Sequence, residues 1–411
     1  MDTYDLVIIG GGISGLYTAL RYQEIHPRSN IAILEASSKL GGRLQTYYAK
    51  DKSYQYETGG SRFNQYHTRL LALIKKYKCH TIPISSQKFL CTFDPSIETL
   101  SATWNPPTTF RSTRSIPLTS LSFGNYLEKA YSKKERHLFQ TQFGYDAEFD
   151  KMNALDAIRI FERDFSTTSH YFMIKEGFST LIQRMKIDLI NKGIRIYTKC
   201  NVHSFDYKDS LFYLHTSLYT FPVCARKVFF ALPKKALMTF QQFKQSDWIQ
   251  SVESIPLHRI YTQFTPTSDY LERRLTTELP IRQYIPVNPP LKIAMISYSD
   301  TYNANNWHHL YQTNPMEFKK HLVHQYQQLY KHCFQCTSDV SVYFKWIRSY
   351  YWEDGVHVWK ILADSTRTSK YVRIPLGQRI PCYIVGEAYS MHQGWVEGAL
   401  ETVDEVFEKY L

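Results

Sequence analysis

Asp5-Leu6-Val7-Ile8-Ile9-Gly10-Gly11-Gly12-Ile13-Ser14-Gly15 decides how the rest of this 411-residue chain is read. The apolar, β-branched run before the glycines predicts a buried parallel strand. After them, Leu16, Tyr17, Ala19 and Leu20 recur at helical spacing. The joint is strand, glycine turn, helix, with the pattern G-x-G-x-x-G. Gly10 permits the tight turn, Gly12 leaves the backbone open to a diphosphate, and Gly15 lets the helix lie close on the strand. The helix N-terminus at Ile13 and Ser14 offers N–H groups and a positive dipole end to those phosphates.

A second apolar run, Asn30–Leu34, ends at Glu35 and Ala36, with Glu35 twenty residues past Gly15. An acid at that distance can accept a hydrogen bond from a ribose hydroxyl. A ligand-free β-α-β unit would account for the glycine turn alone, but not for turn, spacing and acid together.

Two further stretches separate a flavin from a nicotinamide dinucleotide. Gly41-Gly42-Arg43 resembles the G-G-R of the flavin-containing amine oxidoreductases, and Glu57-Thr58-Gly59-Gly60-Ser61-Arg62 is similar to their E-x-G-x-x stretch beside the flavin. The resemblance implies that Gly42, Gly59, Gly60 and Ser61 bring backbone to the cofactor and that Arg43 serves its diphosphate. It implies an α/β fold, a Rossmann-type FAD-binding domain with a discontinuous α+β substrate domain.

Composition agrees with a globular rather than a disordered chain: hydrophobic residues are 43% and charged residues 21%. No apolar stretch reaches membrane-span length, and the first strand starts at once, so a soluble protein without a signal peptide is expected. The net charge of +12 comes from scattered basic residues, such as Lys75, Lys76, Lys133, Lys134, Lys319 and Lys320. A solvated surface is therefore favoured over a nucleic-acid partner. Seven cysteines without framework spacing fit a cytoplasmic or other reducing compartment. Cys333-x-x-Cys336 lacks a second ligand pair, so it reads as two reduced thiols, and no metal site is expected.

The family order recurs further on. Glu176-Gly177-Phe178 opens a helix to about Asn191 and resembles the return to the cofactor domain. Val202, after the strand Gly193–Tyr197, matches the valine whose backbone holds the adenine. Cys382–Glu387 predicts a strand ending in Gly386-Glu387. With Gly394-Trp395-Val396-Glu397-Gly398-Ala399 it resembles the family's terminal motif, where a helix N-terminus at Val396 faces the flavin and Glu387 bonds the ribityl or phosphate region. The cofactor domain is thus expected at 1–66, 171–236 and 377–411, and the substrate domain at 67–170 and 237–376.

The resemblance also nominates catalytic residues. Arg62 stands where amino-acid oxidases of this family bind a substrate carboxylate, and holding a loop or contacting the cofactor is the alternative. Arg259 falls where many members carry a lysine near flavin N5, and an arginine cannot lose its proton there; a surface strand position is the alternative. An aromatic-rich turn is expected around Gly355. Val356 occupies the position of the cysteine that anchors flavin covalently in some members, so FAD is expected to be non-covalent. His357 and Trp395 are the expected walls of an aromatic cage, with a satisfied packing histidine as the alternative for His357. The implied activity is oxidation of an amine or L-amino acid with O2, giving imine and hydrogen peroxide. A catalytically weak FAD-binding protein is the alternative. The chain also resembles the short, anchor-less viral and microbial members.

Overall fold

The glycine joint folds as expected: strand Thr3–Ile9 feeds helix Ile13–Ile25 through Gly10–Gly12. The computed structural model describes residues 3–85, 88–95, 110, 117–165, 169–266, 268 and 270–411. Most of the polar stretch from Thr81 to Pro117, for which strand-like pieces were expected, lies outside them. The chain divides into two compact units, Met1–Ile84 with His170–Ser254 and Val356–Leu411, and Ser85–Ser169 with Ile255–Gly355.

In the first unit the strand Thr3–Ile9 is central. It pairs in parallel with Ile31–Leu34 on one side and Val223–Phe230 on the other. Arg195–Tyr197 extends the sheet beyond Ile31–Leu34, and Val202–Lys208 and Leu211–Thr216 extend the other side. Cys382–Ile384 adds a further parallel partner to Val223–Phe230. Alternate residues of the first strand enter two cores, which is why the run carries no polar alternation. Leu6 and Ile8 pack with helices Ile13–Ile25, Phe178–Asn191 and Val396–Tyr410. Val7 and Ile9 pack on the opposite face with Phe205, Phe240, Phe243 and Trp359.

Three segments expected in the substrate domain lie in this unit. Helix Thr68–Lys76 buries Leu70, Leu73 and Ile74 in the first core. Trp248 and Ile249, and later Trp359 and Val372, join the second. Their amphipathic faces complete the Rossmann layers, and periodicity alone does not say which sheet a helix covers.

The second unit holds a sheet in the order Phe344–Trp359, Val252–Phe264, Ile293–Asp300, Gln283–Asn288, Leu275–Thr277, Phe89–Cys91. Helices Thr301–Thr313 and Pro315–Phe334 bury Trp307, Phe318, Leu322 and Tyr326 with Ile260, Ile296 and Tyr284. The helical stretch expected from Leu118 to Arg163 forms, and Phe123, Phe139, Phe149 and Phe161 pack ring to ring within it.

Two expectations are corrected here. The stretch around Gly355 is no turn: Phe344–Trp359 is one continuous strand. A Cβ on Gly355 would lie 2.5 Å from the Leu257 side chain, so the glycine serves close strand packing. Nor are Cys333 and Cys336 both reduced: Cys333 is joined to Cys91 by a disulfide, with a Cα–Cα distance of 6.0 Å. The partner lies 242 residues away, beyond the reach of a spacing argument. Cys336 takes no part in that bridge.

Candidate functional site

Gly10, Gly12 and Gly15 have three different reasons to lack a side chain. Gly10 has φ +105°, a conformation L side chains rarely adopt. A Cβ on Gly15 would stand 2.0 Å from the carbonyl oxygen of Gly10, so helix and strand could not approach. A Cβ on Gly12 would meet nothing within 4 Å. Protein packing therefore does not require glycine there, whereas a ligand lying against that backbone would. Gly12 caps the helix Ile13–Ile25 with no side-chain hydrogen bond, which leaves the site fit for an anionic group.

The other cofactor candidates gather around this cradle. Glu35 accepts from Gly11 N through Oε2 (2.7 Å) and from Ser37 N through Oε1 (2.8 Å), so its carboxylate stands beside the glycine loop. Ala36 is exposed just beyond it. The carbonyl of Glu35 accepts from Cys200 N (2.9 Å), which brings the turn before Val202 to the same corner. Gly41 N donates to Gly11 O (2.9 Å), and a Cβ on Gly42 would lie 3.5 Å from Gly12 Cα. Gly60 N donates to Arg43 O, which holds the Gly59–Ser61 segment against that loop. Gly386 adopts φ +126°, and a Cβ on it would be 3.7 Å from Ser14 Oγ. Helix Val396–Tyr410 starts at Val396 with Trp395 as its cap, again without a capping side chain.

Arg43 and Glu387, 344 residues apart, form an ion pair of 2.8 Å. Glu387 is buried and fully subscribed. Its Oε1 accepts from His357 N (3.0 Å) and Gly394 N (2.9 Å), and its Oε2 from His357 Nδ1 and Arg43 Nη1 (both 2.8 Å). Burial pushes this carboxyl up, but Arg43 and His357 more than offset burial and hold it well below the ordinary carboxylate value. Four donors fill a carboxylate's acceptor capacity. Glu387 therefore holds Arg43 beside the cradle.

His357 takes the packing role rather than that of a cage wall. Its side chain is 0% exposed, and its Nε2 accepts from Lys234 N at 3.3 Å while Nδ1 donates to Glu387. With both ring nitrogens engaged inside the protein, it is not an open cage wall.

Trp395 stacks instead on Tyr171, with ring centroids 6.3 Å apart and planes 13° from parallel. The guanidinium carbon of Arg62 lies 5.5 Å from the Tyr171 ring and 5.9 Å from the Trp395 ring, within cation–π range of both. The His67 ring meets Trp395 edge-on at 4.8 Å. The sequence reading missed Tyr171 and His67. The available signal was the strand-like run Tyr171–Ile174 just before the Glu176-Gly177 return.

Arg259 lies in the second unit, 4% exposed. It pairs in register with Tyr298, donates to the Tyr298 hydroxyl (3.0 Å), and its guanidinium carbon stands 4.4 Å from that ring. Burial works against its charge, but the phenols of Tyr298 and Tyr261 more than offset burial and keep it cationic. A surface position is excluded. The neighbouring His258 bonds Ser349 Oγ at 2.6 Å, and burial pushes its imidazole down to about 3.

Residues 8–77 match the family model described as an NAD(P)-binding Rossmann-like domain. An uncharacterized protein of Acanthamoeba polyphaga mimivirus is 22% identical over 99% of this chain and 93% of its own length. A flavin-containing amine oxidase of Danio rerio is 33% identical, over 22% of this chain and 16% of that protein. A redesigned variant of putrescine oxidase shares the fold with a TM-score of 0.77 at 14% identity, covering 99% of this chain and 98% of that one. No helix among the described residues is long and apolar enough to cross a membrane. In fold over its length, and in sequence over about a fifth of it, the chain is similar to the flavin-containing amine oxidases.

Proposed function

We propose that this protein is a flavoenzyme that holds FAD non-covalently and oxidises the C–N bond of a small amine or L-amino acid, with O2 as acceptor. The observation that carries this reading is the assembly of the cradle. Gly12, the Gly41–Arg43 loop and Gly386-Glu387 come from opposite ends of the chain and meet at one helix N-terminus. FAD, when bound, would supply the hydride-accepting chemistry.

The chain's own residues would bind and orient. The helix N-terminus and Arg43 would neutralise the diphosphate, and Glu35 would take the ribose hydroxyls. Val356, lacking a thiol, offers no covalent anchor. Arg62 would bind a substrate carboxylate, which favours an amino acid, and the Tyr171–Trp395 pair would exclude water beside it. A dry aromatic surface favours the neutral amine over its ammonium form.

Arg259 favours a second reading, an FAD-binding protein of low catalytic power. It is a buried arginine, already engaged by Tyr298, in a strand whose counterpart in many relatives is expected to carry lysine. The visible spectrum, before and after anaerobic addition of L-amino acids and then polyamines, separates the readings. Flavin bands that bleach support the oxidase and name the substrate class. Bands that never bleach support the second reading, and no flavin binding removes both.

A further inference from the structure

We propose that Cys336 is a thiol–disulfide exchange site that opens the Cys91–Cys333 bridge. Its thiolate attacks Cys333 Sγ, the Cys333–Cys336 disulfide forms, and Cys91 leaves as a thiolate that takes up a proton. The proton that Cys336 gave up balances that one, so the step needs no oxidant or reductant. The site lies within the second unit and is independent of the flavin. Cys91 and Cys333 are 0% and 8% exposed, which shields their bridge from a thiol in solution. Cys336 is only half-buried and packs against the same apolar core as both of them. It is therefore a sulfur that both solvent and core can reach.

The local backbone brings Cys336 back to Cys333. Helix Pro315–Phe334 places Cys333 in its last turn, and Gln335 closes the helix at φ +52°, in the left-handed region. The chain then folds back on the helix end, so that Cys336 N donates to Tyr330 O at 3.1 Å. Three residues apart on a helical turn, Cβ atoms lie about 5–6 Å from each other, and a disulfide needs about 3.5–4.5 Å. A small movement of the helix end closes that gap. Cys91 need not leave its place, since it sits on Phe89–Cys91, the end strand of its sheet, laddered to Leu275–Thr277. Just beyond it, His332 Nε2 donates to Thr92 O (2.7 Å), the His332 ring stacks on Phe93 (4.2 Å), and Glu278 accepts from Phe93 N (2.6 Å). These contacts keep strand and helix together while the sulfur link changes hands. The exchanged form no longer ties residues 242 apart, so it restrains the unfolded chain far less. Exchange thus gives the unit a second, less stable covalent form.

The test is disulfide mapping of the full-length protein by mass spectrometry. The protein is exposed to glutathione for a limited time, quenched with acid, and its remaining thiols are alkylated in denaturant. Before exposure it should hold the Cys91–Cys333 bridge. At intermediate exposure a Cys333–Cys336 peptide should appear together with alkylated Cys91. Cys336→Ser should slow loss of the Cys91–Cys333 bridge by roughly 10-fold at about 0.1 mM external thiol, since a tethered neighbour acts at an effective concentration of about 1 mM. In Cys91→Ser, oxidised glutathione should join Cys333 to Cys336. Absence of the Cys333–Cys336 peptide from wild type at every exposure overturns the proposal, as does a bridge lost equally fast in wild type and Cys336→Ser. If Cys336→Ser does not fold, Cys91→Ser still decides: Cys333 and Cys336 that stay unjoined in oxidised glutathione overturn the proposal. Purified wild type without the Cys91–Cys333 bridge overturns it before any variant is made.

Discussion

At the scale of single residues, Gly12 and Gly15 make opposite predictions from one motif. Gly12→Ala places a Cβ in open space at φ −70°, so the fold should tolerate it. Stability should be unchanged or rise by up to about 1 kcal/mol, since alanine restricts the unfolded chain. FAD content after reconstitution should nevertheless collapse. Gly15→Ala drives a Cβ to 2.0 Å from Gly10 O and should cost roughly 1–3 kcal/mol by forcing helix and strand apart. Thermal melts with flavin absorbance on both variants check the pair, and a Gly12→Ala protein with full flavin would refute the cradle. Arg62 gives a second prediction. Its place over the Tyr171 and Trp395 rings presents a guanidinium suited to a carboxylate. Arg62→Ala should raise KM for an L-amino acid by roughly 10-fold or more, and far less for the matching simple amine. Equal effects on both substrates would assign Arg62 a structural role.

At the scale of elements, three helices of the first unit are tied by acids from Val396–Tyr410. Asp404 accepts from Tyr17 Oη (3.1 Å), Arg21 Nη1 (2.6 Å) and Arg69 Nε (2.8 Å). Glu397 sits under the first turn of helix Thr68–Lys76, accepting from the backbone N–H groups of Arg69 and Leu70 at 3.0 Å each. It supplies the caps that the helix's own N-cap, His67, does not. Glu397→Ala should therefore cost about 1–3 kcal/mol in denaturant unfolding. Glu397→Gln, which keeps an acceptor, should cost less. A Glu397→Ala midpoint equal to wild type would show that solvent replaces these caps. The sequence made Glu397 visible as part of a helix-opening motif. Its partners lie 327 and 328 residues away, so its capping role was invisible.

At the scale of the whole molecule, Asp300 should shape stability against pH. It is buried and accepts from Asp146 N and Ala147 N. Burial, then the nearby Asp146 carboxylate, pushes its carboxyl up to about 7, against opposing help from those N–H groups and Arg282. The folded state therefore holds a proton that the unfolded chain releases near its ordinary value of 3.8. The stability this contributes is complete below about pH 4 and is lost as pH rises through about 7. Asp300→Asn, which needs no proton to be neutral, should lessen that decline. Relative to wild type it should be more stable at pH 8 than at pH 5. Parallel melting curves across that range for the two proteins would refute the assignment.

The sequence alone determined the Rossmann-type half of the protein. Strand Thr3–Ile9, the glycine turn, Glu35 and strand Cys382–Ile384, which ends two residues before Gly386-Glu387, are local patterns, and each depends on backbone conformation or spacing within a few dozen residues. The same applies to helix Phe178–Asn191, which follows a glycine at φ +84°. Only the tertiary structure decided what those groups touch. It gave Glu387 four donors, from Arg43, His357 and the nearby Gly394, and turned His357 inward to bond with it. It set Tyr171 rather than His357 against Trp395, and it joined Cys91 to Cys333. The physical reason is common to all four. A side chain's charge state and orientation depend on whichever groups the packed sheets bring within hydrogen-bond or ring-contact distance, and those neighbours are set by topology rather than by spacing along the chain.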